Sequence, residues 1–145
     1  MQDEILSFYR DCQRGVQINE ADEFVIASSF GRILGLVRLC FESETFVLRT
    51  MQVHPLNQRS GIGIQLLNRF DALVKERGIK NTYCMAFTHL EAFYQKIGFL
   101  KIETTQAPAF LQERLRAFSL LNPDGQAILM RKGDSIPATE KILPS

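Results

Sequence analysis

The sequence lacks the residues on which several classes of protein depend. It has no tryptophan, only three cysteines and two histidines among 145 residues, and 17 basic side chains nearly balance 16 acidic ones. Cys12, Cys40 and Cys84 are odd in number and widely spaced, without a CxxC pair. We therefore expect no metal site and no disulfide framework, and we expect a reducing, cytoplasmic setting. The net charge of +1 argues against a protein that wraps nucleic acid.

Long hydrophobic runs are also missing. The apolar runs are far shorter than a membrane span requires, and the opening Met1-Gln2-Asp3-Glu4 is acidic where a signal peptide is basic. With 46% hydrophobic and 23% charged residues, the composition is typical of a folded soluble domain without a membrane partner. We expect one domain over residues 1–133. The tail over 134–145 has two prolines and no periodicity, so we expect it to be loose.

The hydrophobic pattern predicts an α/β domain: a mixed, mostly antiparallel sheet flanked by helices. Short turns join the first three strands, which predicts antiparallel neighbours. The predicted order is a helix over 3–14 ended by Gly15, strands over 24–27, 33–41 and 45–53, a helix from Ile62 capped by Gly78, a strand over 81–87, a helix over 90–97, a strand over 99–103, a helix over 108–121 and a strand over 126–130.

The most informative stretch is the turn between the third strand and the helix that follows, residues 58–64. Gly61 and Gly63 leave the backbone N–H groups accessible, the first turn of a helix has unpaired donors, and Arg59 adds a positive charge. These features suit a pyrophosphate. The turn is neither a P-loop, because Ile64-Gln65 follows Gly63, nor the three-glycine dinucleotide motif, because Leu66 occupies the third position. The alternative is that both glycines serve turn geometry only.

Two motifs around this turn resemble the GNAT superfamily of acyl-CoA-dependent N-acetyltransferases. The family motif Gln/Arg-x-x-Gly-x-Gly/Ala is matched by Gln58-Arg59-Ser60-Gly61-Ile62-Gly63, and the preceding Val-x-Pro by Val53-His54-Pro55. A second motif, aromatic-Tyr-x-x-x-Gly-Phe, is matched by Phe93-Tyr94-Gln95-Lys96-Ile97-Gly98-Phe99. The resemblance covers residues 24–99 in the family's order.

The resemblance implies that acetyl-CoA is the co-substrate, with no metal. The family's binding mode then assigns the pantetheine arm to the backbone of Met51, Gln52 and Val53, between splayed parallel strands at 45–53 and 81–87. It assigns the pyrophosphate to the turn residues Gln58, Arg59, Ser60, Gly61, Ile62, Gly63 and Ile64. Lys96 is a further candidate for the coenzyme phosphates, and the alternative, a lysine solvated on the helix surface, is the simpler explanation.

The chemistry implied by the resemblance is direct attack of an amine on the thioester. Tyr94 matches the family tyrosine that protonates the departing sulfur, and a phenol with a pKa near ~10 carries a proton at neutral pH. Its alternative is a core tyrosine at helical spacing beside Phe93. A backbone N–H of residues 51–53 would polarise the carbonyl oxygen.

The sequence has no carboxylate at the position where relatives carry their general base. Relatives place a glutamate on the strand before Val-x-Pro, whereas the aligned residues here are Val47 and Arg49. Strand alternation puts Arg49 on the face of Val47, Met51 and Val53, where it would bind a carboxylate. This predicts that the acceptor is a small primary amine that also carries an acidic group. The alternative is that Arg49 is a surface arginine at the edge of the strand. Water, Glu42, Glu44 or His89 then remain for proton removal. His89 also reads as a helix-start residue.

Two functions stay open at this level. The first is an N-acetyltransferase of small amines, and the second is a non-catalytic acyl-CoA sensor or interaction module. The helix over 108–121 carries Phe110, Arg114 and Arg116, which would shape the acceptor site, cover the sheet or form a homodimer contact. Only about twenty residues precede Phe24, so we expect the family's first strand to be missing and part of the usual acceptor wall to be absent or to come from elsewhere.

Overall fold

The structure is a computed structural model that describes residues 1–133. The predicted loose tail over 134–145 lies outside the described residues. The helices are α1 (Gln2–Asp11), α2 (Ile62–Glu76), α3 (Glu91–Gln95) and α4 (Ala109–Leu121), and the strands are β1 (Glu23–Ser29), β2 (Arg32–Glu42), β3 (Thr45–Val53), β4 (Asn81–Phe87), β5 (Phe99–Lys101) and β6 (Ala127–Gly133). Short 3-10 turns occupy Pro55–Asn57, Thr88–Leu90 and Thr104–Gln106.

The strands form a six-stranded mixed sheet in the order β1-β2-β3-β4-β6-β5. The pairs β1–β2, β4–β6 and β5–β6 are antiparallel. The β3–β4 pair is parallel, in a register that matches Phe46 with Thr82 and Val47 with Tyr83. The predicted fold class, a mostly antiparallel sheet that contains a parallel pair, is therefore confirmed.

The described residues divide into two compact units. The first unit consists of Met1–Phe41 and Leu48–Arg77, and the second consists of Glu42–Val47 and the described residues from Gly78 onward. The assignment of residues 1–133 to a single domain stays a prediction.

The first unit is built on the apolar faces of its two helices. Helix α1 buries Ile5, Phe8 and Tyr9 in one cluster with Leu36 of β2. Helix α2 buries a stripe at helical spacing, made of Leu66, Leu67, Phe70 and Val74. Gly78, with φ 67°, takes the left-handed conformation that the sequence predicts just after this helix.

The second unit has its own core under α4. Leu111 of that helix is fully buried with Ala107 and Leu129, and Tyr83, Met85, Ile102, Phe110 and Leu115 pack around them. This arrangement agrees with the prediction that the helix over 108–121 covers the sheet.

Several predicted boundaries are wrong. Strand β6 runs to Gly133 instead of residue 130, because it stays paired with β4 as far as the match of Gly133 with Asn81. Helix α1 ends at Asp11 instead of residue 14, because Gln13 takes a left-handed turn with φ 61° before Gly15 is reached. The helix predicted over 90–97 is shorter and starts with a 3-10 turn. Strand β5 stops at Lys101, because a capped 3-10 turn begins at Thr104.

Candidate functional site

The turn after β3 is ordered by local hydrogen bonds. The Nδ1 atom of His54 accepts from the N–H of Leu56 at 3.1 Å, which starts the 3-10 turn at Pro55. The side-chain amide of Gln58 donates to the carbonyl of Val53 at 3.2 Å, and the Ser60 hydroxyl donates to the carbonyl of Asn57. The predicted turn residues are therefore held against the end of β3.

The start of α2 has the properties of an anion site. Gly61 is the N-cap with φ 86°, so no side chain caps the helix, and the first turn has no acidic residue. The first helical hydrogen bond runs from the N–H of Gln65 to the carbonyl of Gly61 at 3.2 Å. The amides of Ile62, Gly63 and Ile64 precede it and lack an intrahelical acceptor by position. They form the positive end of the helix dipole beside the exposed Arg59.

Strand β3 departs from regular geometry just before the predicted pantetheine residues. Thr50 has φ 49°, which is unusual for a β-branched residue within a strand. Strict alternation of faces is interrupted there, so the predicted common face of residues 47–53 extends only from Val47 to Arg49. Arg49 itself is half-buried.

Side chains from elsewhere in the first unit reach this part of β3. Arg14 donates to the carbonyl of Met51 and to the side-chain oxygen of Gln52, both at 3.0 Å. The side chain of Gln52 donates to the carbonyl of Val53 at 2.9 Å. Sequence reasoning missed Arg14, because no local pattern links it to a strand 37 residues away.

In the second unit, Tyr94 lies on α3 and is only 6% exposed. Its ring meets the edge of Phe93 at 5.1 Å between centroids and that of Phe99 at 6.0 Å. Lys96 places its ammonium 6.0 Å from the ring centre of Phe93. The structure therefore brings the residues of the second motif together. The proton-donor role of Tyr94 and the phosphate contact of Lys96 stay predictions.

Two other candidate acid–base residues of the second unit, His89 and Glu42, contact neighbouring side chains. His89 is exposed and stacks on Phe87 with centroids 5.8 Å apart and planes 19° apart. Arg114 donates to Glu42 at 2.5 Å and lies 5.4 Å from the ring centre of Phe110. Glu42 is thus held in an ion pair with Arg114.

Cys84 is a core residue, as its position in mid-strand predicts. It is 1% exposed, and burial raises the pKa of its thiol far above the ordinary value. The thiol therefore stays protonated at neutral pH and is a poor nucleophile. Within residues 1–133, no group of three His, Cys, Asp or Glu side chains is placed to hold a metal ion. No helix in that same range is long and apolar enough to cross a membrane.

Comparison with known proteins places the fold. Among the solved structures similar to this chain are N-acetylglutamate synthase from Neisseria gonorrhoeae with coenzyme A and N-acetyl-glutamate, an aminoglycoside 6'-N-acetyltransferase with coenzyme A, and the ribosomal-protein-S18-alanine N-acetyltransferase from Escherichia coli. Their TM-scores are 0.62, 0.65 and 0.67 at identities of 17%, 14% and 15%. They match 79%, 93% and 94% of this chain, which spans 26%, 91% and 90% of theirs.

At these identities the three structures establish the fold alone. No curated protein matches the sequence. The model of the acetyltransferase (GNAT) domain matches residues 4–112, which includes the glycine turn and the Tyr94 motif. The chain therefore belongs to the GNAT acetyltransferase family.

Proposed function

We propose that this protein transfers an acetyl group from acetyl-CoA to the primary amine of a small molecule that also carries a carboxylate. The observation that carries the proposal is the uncapped, acid-free start of α2 at Gly61, in a chain of the GNAT family. Its first-turn amides and Arg59 suit the coenzyme pyrophosphate. Related folds have been solved with coenzyme A.

The coenzyme contacts extend from this turn along β3. The first-turn amides of Ile62, Gly63 and Ile64 would hold the diphosphate with Arg59, while Gln58 and Ser60 fix the turn through their own hydrogen bonds. The backbone of Met51, Gln52 and Val53 would pair with the pantetheine amides. Lys96 would add a charge for a coenzyme phosphate.

The reaction would proceed by direct attack. The unprotonated amine adds to the thioester carbonyl, a C–N bond forms, and a backbone N–H of β3 stabilises the oxyanion. Collapse breaks the C–S bond, and the Tyr94 phenol gives its proton to the leaving sulfur. The new amide loses its extra proton to water, and Tyr94 regains a proton from solvent. No covalent enzyme intermediate forms.

The acceptor assignment depends on Arg49. A guanidinium pairs with a carboxylate through two parallel hydrogen bonds, so an acceptor with an acidic group gains affinity that a simple amine lacks. His89, exposed beside Phe87, is a second candidate for contact with the acceptor.

Release of thiol from acetyl-CoA in the presence of an amine panel tests the proposal. The panel pairs amino acids with the corresponding amines that lack the carboxylate. We expect turnover with the amino acids, a loss of about 100-fold in kcat for Tyr94→Phe, and an increase in acceptor KM for Arg49→Ala. If acceptor affinity is unchanged in Arg49→Ala, the hypothesis that the acceptor carries a carboxylate bound by Arg49 is wrong. Coenzyme binding without turnover of any amine would instead favour an acyl-CoA sensor.

A further inference from the structure

The N-terminal segment, residues 1–15, donates hydrogen bonds to two consecutive backbone carbonyls of strand β3. The Tyr9 hydroxyl of α1 donates to the carbonyl of Thr50 at 2.8 Å. Arg14, just beyond α1, donates to the carbonyl of Met51 at 3.0 Å. The two donors come from one short stretch of chain and act on adjacent peptide groups.

Thr50 is also held through its side chain. The Nε of Arg38 donates to the Thr50 hydroxyl at 3.0 Å, and Nη1 donates to Asp22 at 2.8 Å and to the carbonyl of Gln17 at 2.6 Å. The side chains of Arg38 and Asp22 are 3% and 2% exposed. A left-handed threonine persists only where its surroundings fix it, and here they fix both the carbonyl and the side chain.

The carbonyls determine where the next amides point. No cis peptide occurs among the described residues, and in a planar trans peptide the N–H is directed opposite to the preceding C=O. The carbonyls of Thr50 and Met51 point to Tyr9 and Arg14. The N–H groups of Met51 and Gln52 therefore point away from the N-terminal segment.

We propose that Tyr9 and Arg14 are positioning residues, which orient the Met51 and Gln52 amides for the acyl carbonyl and thereby set the rate of transfer. The inference rests on the proposed function, in which amides of β3 stabilise the oxyanion. It also assigns a role to the N-terminal segment.

The chemistry of Tyr9 suits a permanent donor. Burial raises the pKa of Tyr9 to about 12, so the hydroxyl keeps its proton throughout any ordinary assay. The ring is fully buried in the α1 cluster. Tyr9→Phe therefore removes the donor and leaves the packing volume in place.

The test uses the full chain with Tyr9→Phe and Arg14→Gln, and Arg10→Gln as a control for loss of an arginine in the same segment. We expect kcat to fall about 10-fold in both positioning variants. Complete removal of an oxyanion donor lowers kcat by about 100-fold or more, and here the donors are only misoriented. The KM for acetyl-CoA should rise by a smaller factor than kcat falls, since the diphosphate contacts are untouched and only the pantetheine pairing at Met51 and Gln52 is disturbed. Arg14→Lys should recover part of kcat, and Arg10→Gln should match the wild type.

A second readout does not depend on turnover. In ¹H–¹⁵N spectra, the amide signals of Met51 and Gln52 should move in Tyr9→Phe and Arg14→Gln and stay in place in Arg10→Gln. Unmoved signals would overturn the inference, as would unchanged kcat in both variants of an active enzyme. A wild type that acetylates no amine contradicts the proposed function, and the spectra then still decide whether these two residues orient the amides.

Discussion

Replacement of Gly35 by alanine tests how closely α2 must approach the sheet. A Cβ on Gly35 would lie 3.0 Å from Cδ1 of Leu66, 3.1 Å from the carbonyl oxygen of Gln52 and 3.2 Å from Cγ2 of Ile62. The leucine methyl can give way, but the Gln52 oxygen is backbone and moves only with β3. Ile62 is the first residue of α2, so the added methyl pushes on the proposed diphosphate site itself.

Overpacking of this kind costs about 1–3 kcal/mol. For a chain of this length that corresponds to a fall in Tm of about 3–10 °C. We also expect weaker binding of coenzyme A, because the first-turn amides of α2 are displaced. Urea or thermal unfolding measures the first effect, and calorimetric titration with coenzyme A measures the second.

Gly15→Ala is the matched control. It adds the same methyl where nothing lies within 4 Å and where the backbone is not left-handed. Its stability should be equal to that of the wild type or slightly higher, since alanine restricts the unfolded chain. The reasoning is refuted if Gly35→Ala unfolds like Gly15→Ala and binds coenzyme A as the wild type does.

Further predictions concern the buried groups of the first unit. Asp22→Ala leaves the buried Arg38 charge without its carboxylate, so the free energy of unfolding should fall by about 3–5 kcal/mol in urea titrations. Adding Arg38→Met should recover much of that loss, and no recovery would show that the ion pair is not its cause. The phenol of Tyr9 should make stability depend on alkaline pH, because its pKa is about 12 in the folded protein and 10.0 when unperturbed. Stability is then complete below pH 10.0 and declines towards pH 12 by up to about 3 kcal/mol. Cys84 titrates in a similar direction, so the difference between wild type and Tyr9→Phe isolates the Tyr9 contribution, and equal slopes would contradict it.

Much of the fold follows from local pattern. The bounds of β3 and β4 match the predicted strands over 45–53 and 81–87, because each is a short apolar run closed by turn residues. Helix α2 begins at Ile62 as its stripe predicts. The end of α1 was missed because a non-glycine residue, Gln13, made the left-handed turn.

The glycine turn and the Tyr94 motif were recognised in the sequence through their resemblance to the motifs of the GNAT superfamily. The hydrogen bonds that Tyr9, Arg14 and Arg38 make to β3 could not be predicted from the sequence. Threonine favours extended strands, so nothing in the local sequence predicts a left-handed Thr50. That conformation depends on Tyr9 and Arg38, which are 41 and 12 residues away in the chain. Such contacts appear only once the chain is folded.

The central claim is that the first-turn amides of α2 bind the coenzyme diphosphate, and titration with coenzyme A followed by ¹H–¹⁵N spectroscopy tests it most directly. The account predicts that the amide signals of Gly61 and Gly63 shift with saturable dependence on coenzyme A. Pantetheine, which has the thiol arm without the diphosphate, should leave them in place. Glycine signals that do not respond to coenzyme A, or that respond equally to pantetheine, would contradict the account.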